Sequence, residues 1–293
     1  MMNFTNQLSF GYGSNLDLTD WQKWCQRNGC DSNSIEMLPG IFILPDYELK
    51  FHYFSHGRGG GALDVVPLRG HAVVGKLFKS NDEWDTLDQK EGAPSYYKKI
   101  PITVLDENGN SLDAFTYVVT SEKTSSLHTP PTDEYFHAVM RGYTKYEILE
   151  KYPWAKTQLE KASSRLTISS GVNHVYTYGT LRKGEERAHI MSEYNDKVYS
   201  NCKLKGNLIN LGSYPGLIEG NNSVIGEIHH TPKIQNTLRD LDQIEGFQGF
   251  GQEGSLFRRI IVTSEGKSCW TYVWNGNSDE GEIIQSGDWC NNV

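Results

Sequence analysis

The sequence lacks the features that a membrane span, a secretory signal or a nucleic-acid interface would require. No apolar run approaches the roughly 18 residues of a spanning helix. The first ten residues are polar and have neither the basic nor the apolar region of a secretory signal. The formal net charge is −8, whereas binding to phosphates requires a basic face. We therefore expect neither a membrane nor a nucleic-acid partner.

The cysteines show no disulfide or zinc pattern. There are five, an odd number at irregular spacing, and no Cys-x-x-Cys pair occurs. Cys25 and Cys30 are close in sequence, but the further ligands of a zinc site are missing. This usage indicates reduced thiols in a cytoplasmic protein and predicts no metal site.

One motif occurs twice and suggests a duplicated unit. Leu-Asp-Gln-x-Glu-Gly spans residues 87–92 and again 241–246. Each copy lies downstream of a Tyr-Gly-Ser or Tyr-Gly-Thr sequence, at residues 12–14 and 178–180. A length of 293 residues also suits two domains. We predict domains at 1–154 and 173–293, joined by a polar linker over 155–172.

The hydrophobic pattern predicts a similar order of elements in both halves. A strand leads into each Tyr-Gly motif, and a helix carries each Leu-Asp-Gln motif. Ser80 and Glu83 have the spacing of a capping box, and Pro232 suits the first turn of the second helix. Strands are predicted over 8–12, 41–54, 62–66, 73–78, 98–105, 112–119, 174–178, 208–211, 224–229, 257–263 and 268–274, and helices from about 17 to 28 and over 80–91, 132–150, 185–194 and 232–245.

Glu91 and Glu245 are the candidate catalytic residues. Each continues the apolar stripe of its helix into the last turn, where a carboxylate would be partly desolvated. Desolvation raises the pKa of a carboxyl group, which suits a group that accepts and returns protons near neutral pH. The alternative is an exposed glutamate beside a helix-ending glycine. Two copies at matched positions favour the catalytic interpretation.

The Tyr-Gly-Ser and Tyr-Gly-Thr sequences are candidate anion-binding turns. A strand that breaks at glycine before a helix leaves backbone N–H groups free to bind a carboxylate. Ser14 and Thr180 add a hydroxyl donor. The alternative is a turn whose hydroxyl only caps the next helix. The glycine-rich segment 56–61 lacks the lysine of a phosphate-binding loop, so we expect it to be a loop near the site.

Together the motifs resemble the gamma-glutamylcyclotransferase family, in the same order in each half. The second half is similar to the smaller AIG2-like branch, which includes gamma-glutamylamine cyclotransferase, and the tandem layout is similar to bacterial two-domain members. The first half carries Phe-Gly-Tyr-Gly-Ser-Asn-Leu at 10–16, Gly-Gly-Ala at 60–62, the 87–92 motif and Pro131-x-x-x-Tyr135. The second carries Val-Tyr-Thr-Tyr-Gly-Thr-Leu-Arg-Lys-Gly at 175–184, Tyr-Pro-Gly-Leu at 214–217, Gly226-Glu227, the 241–246 motif and Ser-Gly-Asp-Trp at 286–289.

The resemblance implies two α+β domains, each a curved, barrel-like mixed sheet with short helices. It implies a cyclotransferase that needs no cofactor and releases 5-oxoproline from a small γ-glutamyl substrate. Glu91 and Glu245 match the general acid/base, and the oligomeric state stays open. The residues that would bind substrate are Gly11, Tyr12, Gly13, Ser14, Asn15, Tyr135, Tyr178, Gly179, Thr180 and Leu181.

The two halves differ in ways that leave alternatives open. The first resembles the branch acting on γ-glutamyl amino acids, and the second the branch acting on γ-glutamyl amines. Asn15 departs from the leucine of the glutathione-specific branch, which argues against glutathione. The stretch 247–254 is either a lid or a disturbance of the second pocket. One catalytic domain beside a structural one, or a protein that only binds amino-acid-like ligands, are the competing hypotheses.

Overall fold

A computed structural model describes residues 4–164 and 171–291. The chain divides into two compact units, of which the first ends at Gly171 and the second begins at Val172. Part of the predicted linker, residues 165–170, lies outside the described residues. No helix in the described ranges is long and apolar enough to span a bilayer.

The first unit is a five-stranded barrel with one additional strand. Its strands are β1 Leu8–Gly11, β2 Ile35–Met37, β3 Phe42–Ser55, β4 Gly60–Ser80, β5 Tyr97–Leu105 and β6 Ser111–Val119. The sheet order is β1-β6-β5-β3-β4-β2, and a further β1–β4 pairing closes the barrel. Its helices are α1 Leu18–Asn28, α2 Asp85–Glu91, α3 Asp133–Lys145, α4 Ile148–Lys151 and α5 Trp154–Ser163.

The second unit repeats this plan as an open half-barrel. Its strands are β7 His174–Thr177, β8 Lys197–Asn210, β9 Pro215–His230, β10 Phe257–Ser264, β11 Lys267–Trp274 and β12 Glu282–Ile283. Its sheet order is β10-β11-β7-β9-β8-β12, and its helices are α6 Ala188–Ser192 and α7 Ile234–Ile244. Strand β7 pairs parallel with β11 and antiparallel with β9, as β1 pairs with β6 and β4. The predicted α+β class with two barrel-like sheets is confirmed.

Several predicted boundaries differ from the structure for local reasons. The strands predicted at 62–66 and 73–78 are one strand, β4, because Gly70 N donates to Asp46 Oδ1 at 2.7 Å across an irregularity in its pairing with β3. The helix predicted over 132–150 breaks at Glu147, whose φ is +57°. Helix α5 lies within the predicted linker, where Ala155 and Leu159 are buried.

The capping box predicted at Ser80 and Glu83 is wrong. Glu83 is exposed with a φ of +56°, and α2 begins two residues later. Asp82 supplies the cap instead, since its carboxylate accepts hydrogen bonds from Trp84 N at 3.2 Å and Thr86 N at 3.0 Å. Trp84 is thereby directed into the core, where its ring meets Phe115 edge-on with centroids 5.1 Å apart.

Each Tyr-Gly strand packs closely on a glycine of its antiparallel neighbour. A Cβ on Gly75 would lie 2.3 Å from Gly11 O, and one on Gly226 would lie 2.4 Å from Thr177 O. Both clashes involve backbone atoms, which cannot rotate away as a side chain can. Because Gly75 and Gly226 have no side chain, the strand leading into each candidate turn can lie directly against its neighbour.

We expect Gly75→Ala to destabilise the first unit by about 1–3 kcal/mol, as overpacking of a dense interior does. Gly57→Ala is the matched control, because the nearest atom to its added Cβ would be 4.0 Å away. Urea unfolding of the two variants tests the prediction. Equal midpoints for both would show that the β1–β4 contact adjusts without cost.

Candidate functional site

The two candidate glutamates end equivalent helices. Glu91 is the last residue of α2, and Glu245 directly follows α7. The glycine after each is left-handed, with a φ of +64° at Gly92 and +60° at Gly246, a conformation that glycine adopts without strain. Both glutamates are half-buried, somewhat less than the mostly buried position expected of them, and each lines a cavity. The chain thus turns away at the glycine and leaves the carboxylate facing the cavity.

The two Tyr-Gly turns have the same hydrogen bonding. Leu16 N donates to Gly13 O at 3.1 Å, and Arg182 N donates to Gly179 O at 2.9 Å. The first donors of such a turn have no acceptor within the turn itself, which is what the anion-binding hypothesis requires. In the first unit, Asp17 then caps α1 by accepting from Thr19 N at 3.0 Å.

All twelve candidate residues line a cavity in their own unit. In the first unit the cavity is about 50 Å³, and its lining includes Gly11, Tyr12, Gly13, Ser14, Asn15, Glu91 and Tyr135. In the second it is about 160 Å³, and its lining includes Tyr178, Gly179, Thr180, Leu181 and Glu245. Each glutamate therefore shares a cavity with the Tyr-Gly turn of its own unit, as predicted.

Tyr12 and Tyr178 attach the turns to the sheet in the same way. Tyr12 OH donates to Tyr117 O at 2.8 Å, and Tyr178 OH donates to Tyr272 O at 2.8 Å. Burial raises the pKa of both phenols well above the usual value, so they remain protonated donors. Their hydroxyls hold the turn at a fixed distance from the second strand of the hairpin that follows α2 or α7, which is β6 in the first unit and β11 in the second.

Tyr135 comes from α3 and crosses the first cavity. Its hydroxyl accepts a hydrogen bond from Leu63 N at 3.2 Å, and Arg58 lies 5.2 Å from its ring centre. Tyr97, which sequence reasoning missed, donates to Leu63 O at 2.9 Å and lines the same cavity. No short motif marks Tyr97, since only the pairing of the strands brings it there.

A polar network surrounds Glu91. Asn15 Nδ2 donates to Glu91 Oε1 at 2.7 Å, and Lys90 donates to the amide oxygen of Asn15. Lys90 Nζ lies 3.5 Å from Asp20, whose two carboxylate oxygens accept from Arg58 at 2.7 and 2.6 Å. Arg58 also donates to Ser14 Oγ at 2.9 Å. The network runs from the glutamate back to the turn, so it fixes both sides of the cavity.

The surroundings of Glu245 are largely apolar. Ile244, Leu256 and Phe257 line the cavity with it, and Arg187 is a cation in the same wall. Burial raises the pKa of Glu245 to about 7, although the charge of Arg187 acts in the opposite direction. The predicted elevation is therefore confirmed for Glu245. Such a carboxyl group exchanges its proton near neutral pH.

An aspartate, buried in the second unit and half-buried in the first, supports each of the helices α7 and α2, and sequence reasoning did not identify this role. Asp242 accepts from Arg259 Nη1 at 3.0 and 2.9 Å and from Tyr272 OH at 2.7 Å. Arg259 and Tyr272 are directly opposed on β10 and β11. The aspartate of the Leu-Asp-Gln motif thus joins the helix to the hairpin behind it.

The first unit contains the same cluster with lysine in place of arginine. Asp88 accepts from Tyr117 OH at 2.6 Å and from Lys99 Nζ at 2.8 Å. Lys99 and Tyr117 are opposed on β5 and β6. The motif therefore has two functions, with its aspartate placing the helix and its glutamate facing the cavity.

The stretch 247–254 in the second unit packs on this cluster. The rings of Phe247 and Phe250 lie 4.9 and 5.0 Å from the guanidinium carbon of Arg259. Phe247 N donates to Asp242 O at 2.8 Å, and Gln248 N donates to Ser255 Oγ at 3.0 Å. These contacts attach the stretch to the back of the helix and not across the cavity, so it is neither of the two alternatives predicted.

Glu227, the acid of the Gly-Glu motif, holds the second turn from behind. It accepts from Lys183 N at 2.9 Å and lies 3.5 Å from His229 Nε2. Burial alone would raise the pKa of Glu227, but the hydrogen bonds from His229 and the Lys183 backbone hold it below its usual value. In the first unit Lys76 has this place, since it pairs with Gly11 as Glu227 pairs with Thr177.

Comparison with known proteins identifies the family. A sequence profile described as gamma-glutamyl cyclotransferase, AIG2-like, matches residues 9–138 and again 175–291. The chain belongs to this family and contains its domain twice.

Two sequence relatives each match less than half of the chain, and one solved structure aligns with most of it. The Escherichia coli gamma-glutamylcyclotransferase family protein YtfP is 33% identical over 117 residues, which are 39% of this chain and 94% of that protein. The gamma-L-glutamyl-butirosin B gamma-glutamyl cyclotransferase of Niallia circulans is 32% identical over 141 residues, 46% of this chain and 85% of that protein. The YkqA structure from Bacillus subtilis is 15% identical, with a TM-score of 0.29 over 92% of this chain and 84% of that chain.

We expect Asp242→Asn to lower the local stability of the second unit by about 3–5 kcal/mol, because the buried Arg259 would lose its counter-charge. Amide hydrogen exchange in β10 and β11 should accelerate accordingly. Asp240→Asn, in the same helix, removes a surface ion pair with Arg239, and its amide oxygen can still accept from Tyr194 OH, so exchange should stay unchanged. Similar exchange in both variants would refute the supporting function of Asp242.

Proposed function

We propose that the protein is a γ-glutamyl cyclotransferase with a catalytic centre in each unit, acting on small γ-glutamyl compounds. The observation that carries the proposal is the repeated pairing of a glutamate with a Tyr-Gly turn across a cavity. Unrelated structural roles would not require both groups to face the same cavity twice. The family membership supports the reaction class.

The proposed reaction closes a ring within the substrate. The α-amine nitrogen attacks the γ-carbonyl carbon, a C–N bond forms, and the bond to the leaving nitrogen breaks. The glutamate accepts the proton that the α-amine releases and returns it to the leaving nitrogen, so no proton is gained or lost. Well-oriented ring closure can gain roughly 7–11 kcal/mol, and a positioned general base adds about 10²–10⁴-fold.

The turns are proposed to hold the substrate α-carboxylate. The residues of each turn line the cavity, so their first backbone N–H groups are the proposed donors, and Ser14 or Thr180 adds a hydroxyl. Tyr12 and Tyr178 keep each turn in place from the sheet side. This arrangement would fold the γ-glutamyl chain so that its amine and γ-carbonyl meet beside the glutamate.

The state of the cysteines bears on where the protein acts. All five cysteines are free thiols, which is the form that a reducing compartment maintains. We therefore propose that the reaction takes place in the cytoplasm on a soluble small-molecule substrate.

Replacing one glutamate should remove one activity and leave the other. Glu91→Gln should reduce 5-oxoproline release from one class of γ-glutamyl compounds by about 10²–10⁴-fold, because glutamine keeps the size but cannot accept the proton. Glu245→Gln should do the same for the other class. Chromatographic measurement of 5-oxoproline from a panel of γ-glutamyl amino acids and amines tests both.

Glu36→Gln, on the exposed side of β2, is the control and should change nothing. Loss of all activity in either single variant would leave one catalytic unit beside a structural one. Wild-type turnover in the double variant would exclude both glutamates, whereas binding without any turnover in the wild type would favour a ligand-binding protein.

The second unit should lose activity below about pH 7. Glu245 has a pKa raised to about 7, and only its ionised form accepts a proton, so kcat/KM in the Glu91→Gln protein should rise with pH through that value. Arg187→Gln should move this limb to higher pH, since the arginine charge opposes the elevation. If the rise of kcat/KM stays at the same pH in Arg187→Gln, it reflects titration of the substrate amine and not of Glu245.

A further inference from the structure

The first unit has a second, larger cavity outside its catalytic pocket. It measures about 380 Å³ and shares Ser14, Glu91, Tyr97 and Tyr135 with the pocket described above. Its outer wall is formed by α1, the end of α2 and the loop between β3 and β4. The cavity therefore begins at the proposed base, Glu91, and a substrate group beyond the reacting centre has room to extend into it.

The wall of this outer cavity has an excess of positive charge. Arg27, Arg58 and Lys90 line it, opposed by Asp20 and by Glu91. Arg58 donates to both oxygens of Asp20, and Glu91 must be ionised to act as the proposed base. Three cations then face two carboxylates, so one additional anion would complete the charge balance.

Lys90 is the cation that such an anion would stabilise most. Its side chain is only 5% exposed, and burial lowers its pKa although Glu91 and Asp20 act in the opposite direction. Its ammonium contacts the Asn15 amide and lies 5.3 Å from the Trp21 ring centre. A buried cation of this kind is stabilised by each further negative charge that approaches it.

The second unit shows that this charge is not required for the γ-glutamyl group itself. There the positions of Asn15 and Lys90 are taken by Leu181 and Ile244, and Arg187 is the cation of the cavity wall. Both units are proposed to bind the same α-carboxylate at the turn. The additional cations of the first unit must therefore suit a part of the substrate that differs between the units, which is the leaving amine.

We propose that the outer cavity of the first unit is a subsite for a carboxylate on the leaving amine, recognised by Lys90, Arg58 and Arg27. The inference rests on the proposed cyclotransferase function. The aromatic wall, formed by Trp24, Tyr53 and Tyr96, suits an apolar or aromatic side chain beside that carboxylate. The first unit then prefers amino-acid leaving groups, and the second takes amines without a carboxylate.

Two substrates that differ only in the carboxylate test the subsite. γ-Glutamyl-phenylalanine and γ-glutamyl-phenethylamine are compared in the Glu245→Gln protein, where only the first unit is active. We expect kcat/KM to be about tenfold or more higher for the phenylalanine compound. Lys90→Met should remove most of this preference, and Arg27→Gln, on the exposed rim, should reduce it about two- to threefold.

Lys23→Met is the matched control, because Lys23 is exposed on the same helix as Arg27 and does not line the cavity. It should leave the preference unchanged. Equal kcat/KM for the two compounds would overturn the subsite. So would an equal loss for both compounds in Lys90→Met, since that result would mean that Lys90 only positions Asn15 and Glu91.

Binding separates failure of the subsite from failure of the proposed function. If neither compound releases 5-oxoproline from the wild-type protein, the cyclotransferase proposal fails. Calorimetric titration of the same two compounds still decides the subsite. Tighter binding of the phenylalanine compound that is lost in Lys90→Met and reduced in Arg27→Gln supports it, and equal binding of both compounds overturns it.

Discussion

The aspartate that ties each of the helices α2 and α7 to the hairpin behind it makes the interaction on which the rest of both sites depends. Asp88 and Asp242 each bind a phenol and a cation that are opposed on one hairpin. The strand that carries the phenol also accepts the hydrogen bond that fixes the Tyr-Gly turn. Helix, hairpin and turn are thus joined through one side chain, so the distance across the cavity is set before any substrate binds.

The candidate site was predictable because its parts lie in short, repeated sequences. Glutamates 91 and 245 and both turns could be found from two copies of each motif, and the cavities contain all of them. The supporting cations could not be found this way. Lys99 and Arg259 reach their aspartates only through strand register, which depends on the pairing of the whole hairpin.

The fold class and most of the strands and helices along the chain were predictable, but the irregular positions were less so. The prediction divided β4 into 62–66 and 73–78, whereas Asp46 accommodates the irregularity between them by binding Gly70 N. Most of helix α5 fell in the predicted linker, whose polar sequence left open only that part of it is helical. Ala155 and Leu159 nevertheless supply enough apolar surface to bury one face. Such outcomes depend on long-range packing and not on local composition.

The residue that precedes each glutamate sets the electrostatic surroundings of the carboxylate without altering the helix. Lys90 and Ile244 occupy the same step of the same motif, yet one supplies a charge and the other an apolar surface beside the carboxylate. Each unit can consequently serve as the comparison for the effect of charge on the glutamate of the other. Exchange of Asn15 and Lys90 with Leu181 and Ile244 would place each pair beside the glutamate of the other unit, so that the contribution of charge could be measured at sites that share the same turn and the same helix end.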